Sequence, residues 1–293
     1  MKDKNVTLFW RLLCGALAVV SFVFGMLMHL YPANEPASLD TIPPFSGEPY
    51  IVLNDNIPEF LENEVSARPF EYYSDLDMYN RCGYALACVG KEIMPTEERG
   101  SIGQIKPSGW QTIKYDFIDG KYLYNRCHLI GYQLTGENAN ACNLITGTRY
   151  LNIEGMLPFE NMVADYIMET GNHVMYRVTP VFYESEMVAR GVRMEGWSVE
   201  DNGAGICFHI YAYNNQPGVI IDYATGESCL DTGESTDFTK TQVSYILNTE
   251  SKKFHLPTCG QGKNINQEHM EYYSGHHWTL IAAGYSAAGC CAP

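Results

Sequence analysis

Basic residues are scarce in this chain. Lys and Arg together number 19 against 34 Asp and Glu, which leaves a net charge of −15. A protein that coats nucleic acid with its whole surface carries the opposite balance, so composition argues against that class. A local cationic cleft remains compatible, because an acidic body limits non-specific binding. Charged residues of either sign make up only 18 %, against 46 % hydrophobic, a globular rather than a disordered composition. No internal repeat is visible. No pair of acids is singled out by its spacing, as a carbohydrate hydrolase with two facing carboxylates requires. Tyrosine, in contrast, is abundant at 21 residues, and this aromatic content favours a sheet-containing fold.

Asp, Glu, Lys and Arg are all missing from Leu12 to Leu30. At about 1.5 Å per residue this run nearly spans the roughly 30 Å hydrocarbon core of a bilayer. Lys2, Lys4 and Arg11 precede it, and Glu35 and Asp40 follow, as expected for a cytoplasmic N-terminus and an exported body. Residues 1–30 are therefore expected to be a transmembrane anchor. A cleaved signal segment is the alternative, which would make the protein secreted. The run is long for such a segment, and no small-x-small site closes it. Residues 31–49 hold Pro32, Pro36, Pro43, Pro44 and Pro49 without helical or strand period, the pattern of a semi-extended tether.

The body is expected over 50–229, followed by a polar linker at 230–240 and a small Cys- and His-containing module at 241–293. Strand patterns occur at 50–53, 81–90, 122–130, 173–183, 187–199, 205–213, 218–222 and 243–248. A turn is expected at Asn54-Asp55-Asn56 and a short helical turn at 59–64. The best helix covers 157–169, with Pro158 in its first turn and Gly171-Asn172 as its stop. Met162, Val163, Tyr166 and Ile167 are expected on its buried face. Further helical pieces are expected at 268–273 and 278–283. The fold class is α+β with mainly antiparallel pairing. There are 10 cysteines; Cys14 lies in the apolar run, so the rest are odd in number and cannot all pair within one chain.

The candidate site centres on Tyr124-Asn125-Arg126-Cys127-His128-Leu129-Ile130-Gly131. Side chains alternate along a strand, so Arg126 and His128 share a face while Cys127 points away, as a packing residue. A histidine near its unperturbed pKa of about 6.5 suits proton abstraction from water. Arg126 offers a forked donor pair to phosphate. Downstream lie Asn143, Asn152 and Glu160. Mg²⁺ keeps most of its waters and needs few protein oxygens, so one asparagine amide is a sufficient ligand. An acid can hold a water of that ion from outside its coordination sphere. These residue types alone leave the bland reading open: a strand histidine is more often packed, and a helix glutamate is more often solvated.

The run from Tyr124 to Gly131 resembles the Asp-Arg-Gly-His motif of the DNA/RNA non-specific endonucleases, the ββα-metal (His-Me finger) nucleases. Asn143-Leu144-Ile145-Thr146-Gly147-Thr148-Arg149-Tyr150-Leu151-Asn152 and His173-Val174-Met175-Tyr176-Arg177-Val178-Thr179 are similar to the branch of streptococcal-type secreted DNases and DNA-entry nucleases. The resemblance covers roughly residues 50–225. It implies a ββα-metal catalytic core, with His128 as general base, Asn152 as the direct ligand of Mg²⁺ (Mn²⁺ as a substitute) and Asn143 positioning the site. Glu160 would bind a metal water, and DNA, or RNA, would be the substrate. Asn125 stands where the family has Asp, and Cys127 where it has Gly. Arg149 and Arg99 are candidate substrate contacts, with Lys106, Lys114 and Lys121 as weaker ones. The alternative is a membrane-anchored receptor that binds nucleic acid on the same fold without cutting it.

Near the C-terminus, His255, Cys259, Cys290 and Cys291 could supply one His and three Cys to zinc. Residues 241–293 are weakly similar to the metal-binding module of Ada-type DNA repair proteins. Such modules have a Cys where this chain has Ala288, which counts against zinc. A Cys259–Cys291 disulfide, free thiols and a plain capping subdomain remain open.

Overall fold

The computed structural model describes residues 39–233, 243–275, 280 and 283–291. The expected anchor at 12–30 lies outside the described residues, as do most of the 230–240 linker and most of the 278–283 piece. Among the described residues no helix is long and apolar enough to cross a membrane.

Alternating side chains build the centre of the molecule. Strands β1 (Tyr50–Val52), β2 (Phe70–Tyr73), β3 (Ala85–Val89), β6 (Val174–Val181), β7 (Gly191–Ser198) and β8 (Cys207–Tyr213) form one six-stranded sheet, ordered β1-β8-β7-β6-β3-β2. Every neighbouring pair is antiparallel. One face carries Ala85, Ala87, Val89, Val174, Tyr176, Val178, Val192, Met194, Phe208, Ile210 and Ala212, all in the main core. On the other face, Leu86, Cys88 and Met175 pack against Phe60, Phe70 and Trp197.

The remaining strands of the body make smaller pairs. β4 (Tyr124–His128) and β5 (Leu144–Thr148) form a two-stranded antiparallel ribbon. Cys127 and Ile145 join the main core, while Tyr124, on the opposite side of β4, packs with Ile118, Leu123, Val188 and Tyr223. β9 (Val219–Ile221) pairs with β10 (Ser228–Leu230). Two helices complete the body: α1 (Tyr132–Thr135) and α2 (Leu157–Thr170). β4, β5 and α2 thus supply a ββα unit laid on the main sheet, and the fold is α+β with predominantly antiparallel pairing.

A π turn at Leu151–Met156 runs directly into α2, with the Leu157 N–H donating to the Asn152 carbonyl. Gly155 and Pro158 therefore accompany a change of winding, not a break. Gly155 is needed for packing: a Cβ there would lie 3.2 Å from Ala212 Cβ on β8. α2 ends at Gly171, in the left-handed region at φ 76°, where glycine carries no steric penalty. Its buried face is Phe159, Glu160, Val163, Ala164 and Ile167. Val163 and Ile167 were expected there; Met162 is exposed instead, so the buried stripe lies one position further round.

Three further expectations change. Residues 62–64 form a turn, and no helix occupies 59–64. Residues 270–275 form β13, a strand paired with β11 (Val243–Asn248), not a helical piece. Part of the expected tether also packs on the body: Tyr213 donates to the Pro43 carbonyl at 2.7 Å, and Phe45 meets Tyr150 and Tyr213 edge-on. Phe45 gives that segment enough apolar surface to dock despite its prolines.

The segment before β2 is stapled to the back of the main sheet by one buried ion pair. Arg177 and Glu195 face each other across β6 and β7. Arg177 Nε and Nη2 donate to the two Glu195 oxygens at 2.7 and 3.0 Å, and Nη2 also donates to the Glu59 carbonyl at 3.0 Å. The Glu59 N–H returns to Glu195 at 2.7 Å. Removing one partner leaves the other charge buried and uncompensated. Arg177→Met is expected to lower the unfolding free energy by about 3–5 kcal/mol. Urea denaturation checks this, and an unmoved midpoint would mean that the pair is not a staple.

Candidate active site

β4 delivers His128 to the floor of a cleft of about 730 Å³. Arg99, Trp110, Arg126, Gly131, Gln133, Arg149, Asn152 and Glu160 also line it. The lining comes from the loop before β4, β4 itself, the start of α1, the residue after β5, the π turn and the first turn of α2.

His128 is buried, at 6 % exposure. Its Nε2 lies 2.8 Å from the Asn138 backbone carbonyl. A carbonyl only accepts, so Nε2 carries the proton and donates, and the lone pair of the neutral ring sits on Nδ1. Arg99 Nη2 donates to Nδ1 at 3.2 Å. Burial lowers the His128 pKa from the ordinary 6.5, and the Arg99 charge lowers it further, against the opposing Asn138 bond. The ring is therefore neutral at physiological pH and offers a base at a defined atom.

Glu160 faces the same cleft from α2. Burial raises its pKa to about 7, opposed by the Arg99 charge, the Gln133 side chain and the Gly131 N–H. The carboxylate lies so close to Gly131 that a Cβ there would be 2.5 Å from Oε2. Gly131 has an ordinary φ of −58°, so close approach is the reason for glycine at this position. Nothing in the residues around Gly131 announces this part, because the carboxylate that needs the space lies 29 positions away in sequence.

Asn152 lies in the π turn and lines the cleft. Its backbone carbonyl is used by Leu157, while among the described residues no hydrogen bond engages its side-chain amide. A free amide oxygen in the same cleft as the Glu160 carboxyl group fits a hard divalent cation that keeps most of its waters. No cluster of three or more His, Cys, Asp or Glu among the described residues lies here, so a closed all-protein cage is not what the site offers.

The other expected residues are placed less directly. Asn143 is fully buried and does not line the cleft. Its Oδ1 accepts from the Ile130 N–H at 2.9 Å, and its Nδ2 donates to the Ile130 carbonyl at 3.0 Å. It clasps the chain just beyond His128. Arg126 lines the cleft, but its guanidinium is engaged: Nε donates to the Ile105 carbonyl, Nη2 to the Gly103 carbonyl at 2.9 Å, and the group stacks on Trp110. It braces the loop that carries Arg99 instead of presenting a free fork to phosphate. Arg149 pairs with Asp119 at 2.7 Å and keeps its buried Nε without a partner. Lys114 sits over the Tyr122 ring, Lys121 pairs with Asp116, and neither they nor Lys106 lines the cleft.

Residues 61–200 match the family model of the DNA/RNA non-specific endonucleases. Over those residues the chain is similar to a DNA/RNA non-specific endonuclease domain. NucA from Streptococcus agalactiae with magnesium bound has a similar fold, at 24 % identity over 61 % of this chain and 86 % of that one, with a TM-score of 0.54. The form of that protein with no metal bound gives 25 % identity with the same coverage and TM-score. The Sda1 nuclease with bound zinc matches at 28 % identity over 61 % of this chain and 95 % of its own, with a TM-score of 0.48. Among curated proteins there is no match.

Within residues 61–200 the two departures from the family motif are accommodated differently. Cys127 is fully buried, and burial raises its thiol well above the ordinary range, so it is no nucleophile. Its Sγ fills the space over Gly147, where a Cβ would lie 2.3 Å away. Asn125 lines the cleft, with its buried Nδ2 lacking a partner. Two supports escaped sequence reading. The Asn138 carbonyl acts through its backbone, which no side-chain pattern announces. Asn214 bonds Thr146, Thr148 and Ala189, tying β5 to the main sheet over a long sequence separation.

Two measurements follow from this geometry. In an NMR titration His128 is expected to protonate below pH 6.5, and Arg99→Ala is expected to move it upward, since a neighbouring positive charge is removed. Gly131→Ala displaces the Glu160 carboxylate. It is expected to cut catalytic rate by about 10²-fold with little loss of stability. Wild-type rate in that variant would show that the close approach is not used.

Proposed function

We propose that this nuclease hydrolyses phosphodiester bonds of DNA, with RNA as a second substrate, in a divalent-metal-dependent reaction outside the cytoplasmic membrane. The observation that carries the chemistry is the His128 ring: Nε2–H is spent on the Asn138 carbonyl, which leaves Nδ1 as the base. In this reading Nδ1 takes a proton from the attacking water. Asn152 is the protein ligand of Mg²⁺, with Mn²⁺ as a substitute, and Glu160 orients water beside it. The bound ion supplies charge neutralisation at the phosphate and at the leaving 3′ oxygen.

Arg99 has two positions to serve. With no phosphate present it donates to Nδ1. A phosphate oxygen is the stronger, charge-assisted acceptor, so substrate draws the guanidinium away and frees the base. Asn143 and Arg126 act through others, the first on the chain after His128 and the second on the Arg99 loop. The placement outside the membrane rests on residues 1–30, read as an anchor or signal segment. The division into a nuclease body at 50–229 and a terminal module at 241–293 belongs to the same reading.

Purified protein with plasmid DNA and Mg²⁺ tests the proposal. Cleavage is expected, lost on chelation, and reduced by about 10²–10⁴-fold in His128→Ala, the usual contribution of a positioned base. Binding of DNA without metal-dependent cutting would favour the receptor instead. Because the base must be neutral, the rate is expected to fall as pH drops through the His128 pKa, below 6.5. An acidic limb above that value would contradict the assignment.

A further inference from the structure

We infer that His255, Cys259, Cys290 and Cys291 form a structural zinc site that fastens the C-terminal end of the chain. One ligand atom from each lies within 4.8 Å of all the others. Cys259 Sγ is 3.5 Å and Cys290 Sγ 3.4 Å from His255 Nδ1, and the two sulfurs are 3.4 Å apart. Ligands about 2.0–2.3 Å from a shared tetrahedral centre sit roughly 3.3–3.8 Å from one another, so these separations match zinc. They are much longer than the roughly 2.05 Å of a disulfide. None of Cys259, Cys290 and Cys291 is in a disulfide.

The local fold is arranged to bring these groups together. His255 ends β12 (Lys253–His255), and a tight turn through Pro257 and Thr258 places Cys259 at the start of α3 (Gly260–Lys263). Gly262 permits that return, since a Cβ there would lie 2.8 Å from His255 Cβ. β14 (Ser286–Ala287) pairs in parallel with β12, which carries Cys290 and Cys291 back to His255. The Leu256 N–H donates to Cys291 Sγ at 3.4 Å, the kind of bond that supports a thiolate. Ala288, which stands where the resembling modules have Cys, is buried, with its N–H donating to the Phe254 carbonyl. Cys290 completes the set in its place.

A second observation explains why a metal is needed. β13, β11, β12 and β14 make a four-stranded sheet of their own. Among the described residues its buried apolar cluster is Tyr245, Leu247, Phe254 and Leu280, with Leu256, Tyr273 and Tyr285 packed against it. A sheet with so small a core ordinarily requires a metal or disulfide staple. Four protein ligands leave no open position, so the role is structural and not catalytic. Zinc binding releases the thiol protons and couples directly to folding. The inference does not depend on the nuclease reading.

The test is the zinc content of the full chain purified without added metal, compared with Asn152→Ala and Cys259→Ser. Zinc at one ion per chain is expected in the first two and its loss in the third. Cys259→Ser could lose zinc simply by misfolding, so Co²⁺ exchanged into Asn152→Ala provides a second readout. Strong visible d–d bands and near-ultraviolet sulfur-to-cobalt charge transfer are expected. The proposal is overturned by any of four results: wild-type protein without zinc, zinc retained in Cys259→Ser, a weak octahedral cobalt spectrum, or a native disulfide joining Cys259 to Cys290 or Cys291.

Discussion

The active-site geometry depends on the clasp between the Asn143 side chain and the backbone of Ile130. One buried side-chain amide satisfies both the N–H and the carbonyl of a single residue, while the Asn143 backbone carbonyl accepts from the Leu129 N–H at 2.9 Å. Leaving any of these buried groups unpaired costs about 1–3 kcal/mol, so the chain has little freedom there. The clasp fixes where β4 ends and α1 begins. His128 lies just before it and Gly131 just after it. Moving that corner would displace the base and the seat of the Glu160 carboxylate together.

Other constraints place the remaining groups around that corner. The π turn carries Asn152 into the cleft and lets α2 follow without a break, and π windings often occur at functional sites. Arg126, clamped by two carbonyls and Trp110, holds the loop that brings Arg99 to the histidine. Asn214 ties β5 to the main sheet, so the ribbon beneath the site cannot slide. The cleft therefore combines a neutral histidine, a carboxyl group whose pKa is raised by burial and one arginine that reaches the histidine, in a protein whose net charge is strongly negative.

Much of the fold was legible because alternation survives in the strands. The hairpin of β6 and β7, the strand bearing His128 and the helix ended by Gly171 all follow local patterns. His128, Asn152 and Glu160 were legible as residue types at suitable distances, and the structure brings all three to one cleft. What their neighbours do was not legible, because it is decided by partners distant in sequence. Arg126 reads as a phosphate fork until Gly103 and Ile105 claim it. Asn143 reads as a residue that positions the site, but its means of doing so, both bonds to Ile130, is visible only in the fold. The 270–275 segment looked helical from its own residues, but pairing with β11 makes it a strand. Cys290 was visible beside Cys291, yet only the return of β14 along β12 shows that it can stand in for the cysteine missing at Ala288.

The central claim is that Nδ1 of His128 is the group that accepts the proton. Chemical rescue tests it most directly. His128→Gly removes the ring and leaves a space in the cleft floor that free imidazole can enter. If the claim holds, the variant is inactive with Mg²⁺ alone, and added imidazole restores cleavage in proportion to its neutral fraction as pH is varied. Metal-dependent cleavage by His128→Gly at the wild-type rate without imidazole would contradict it.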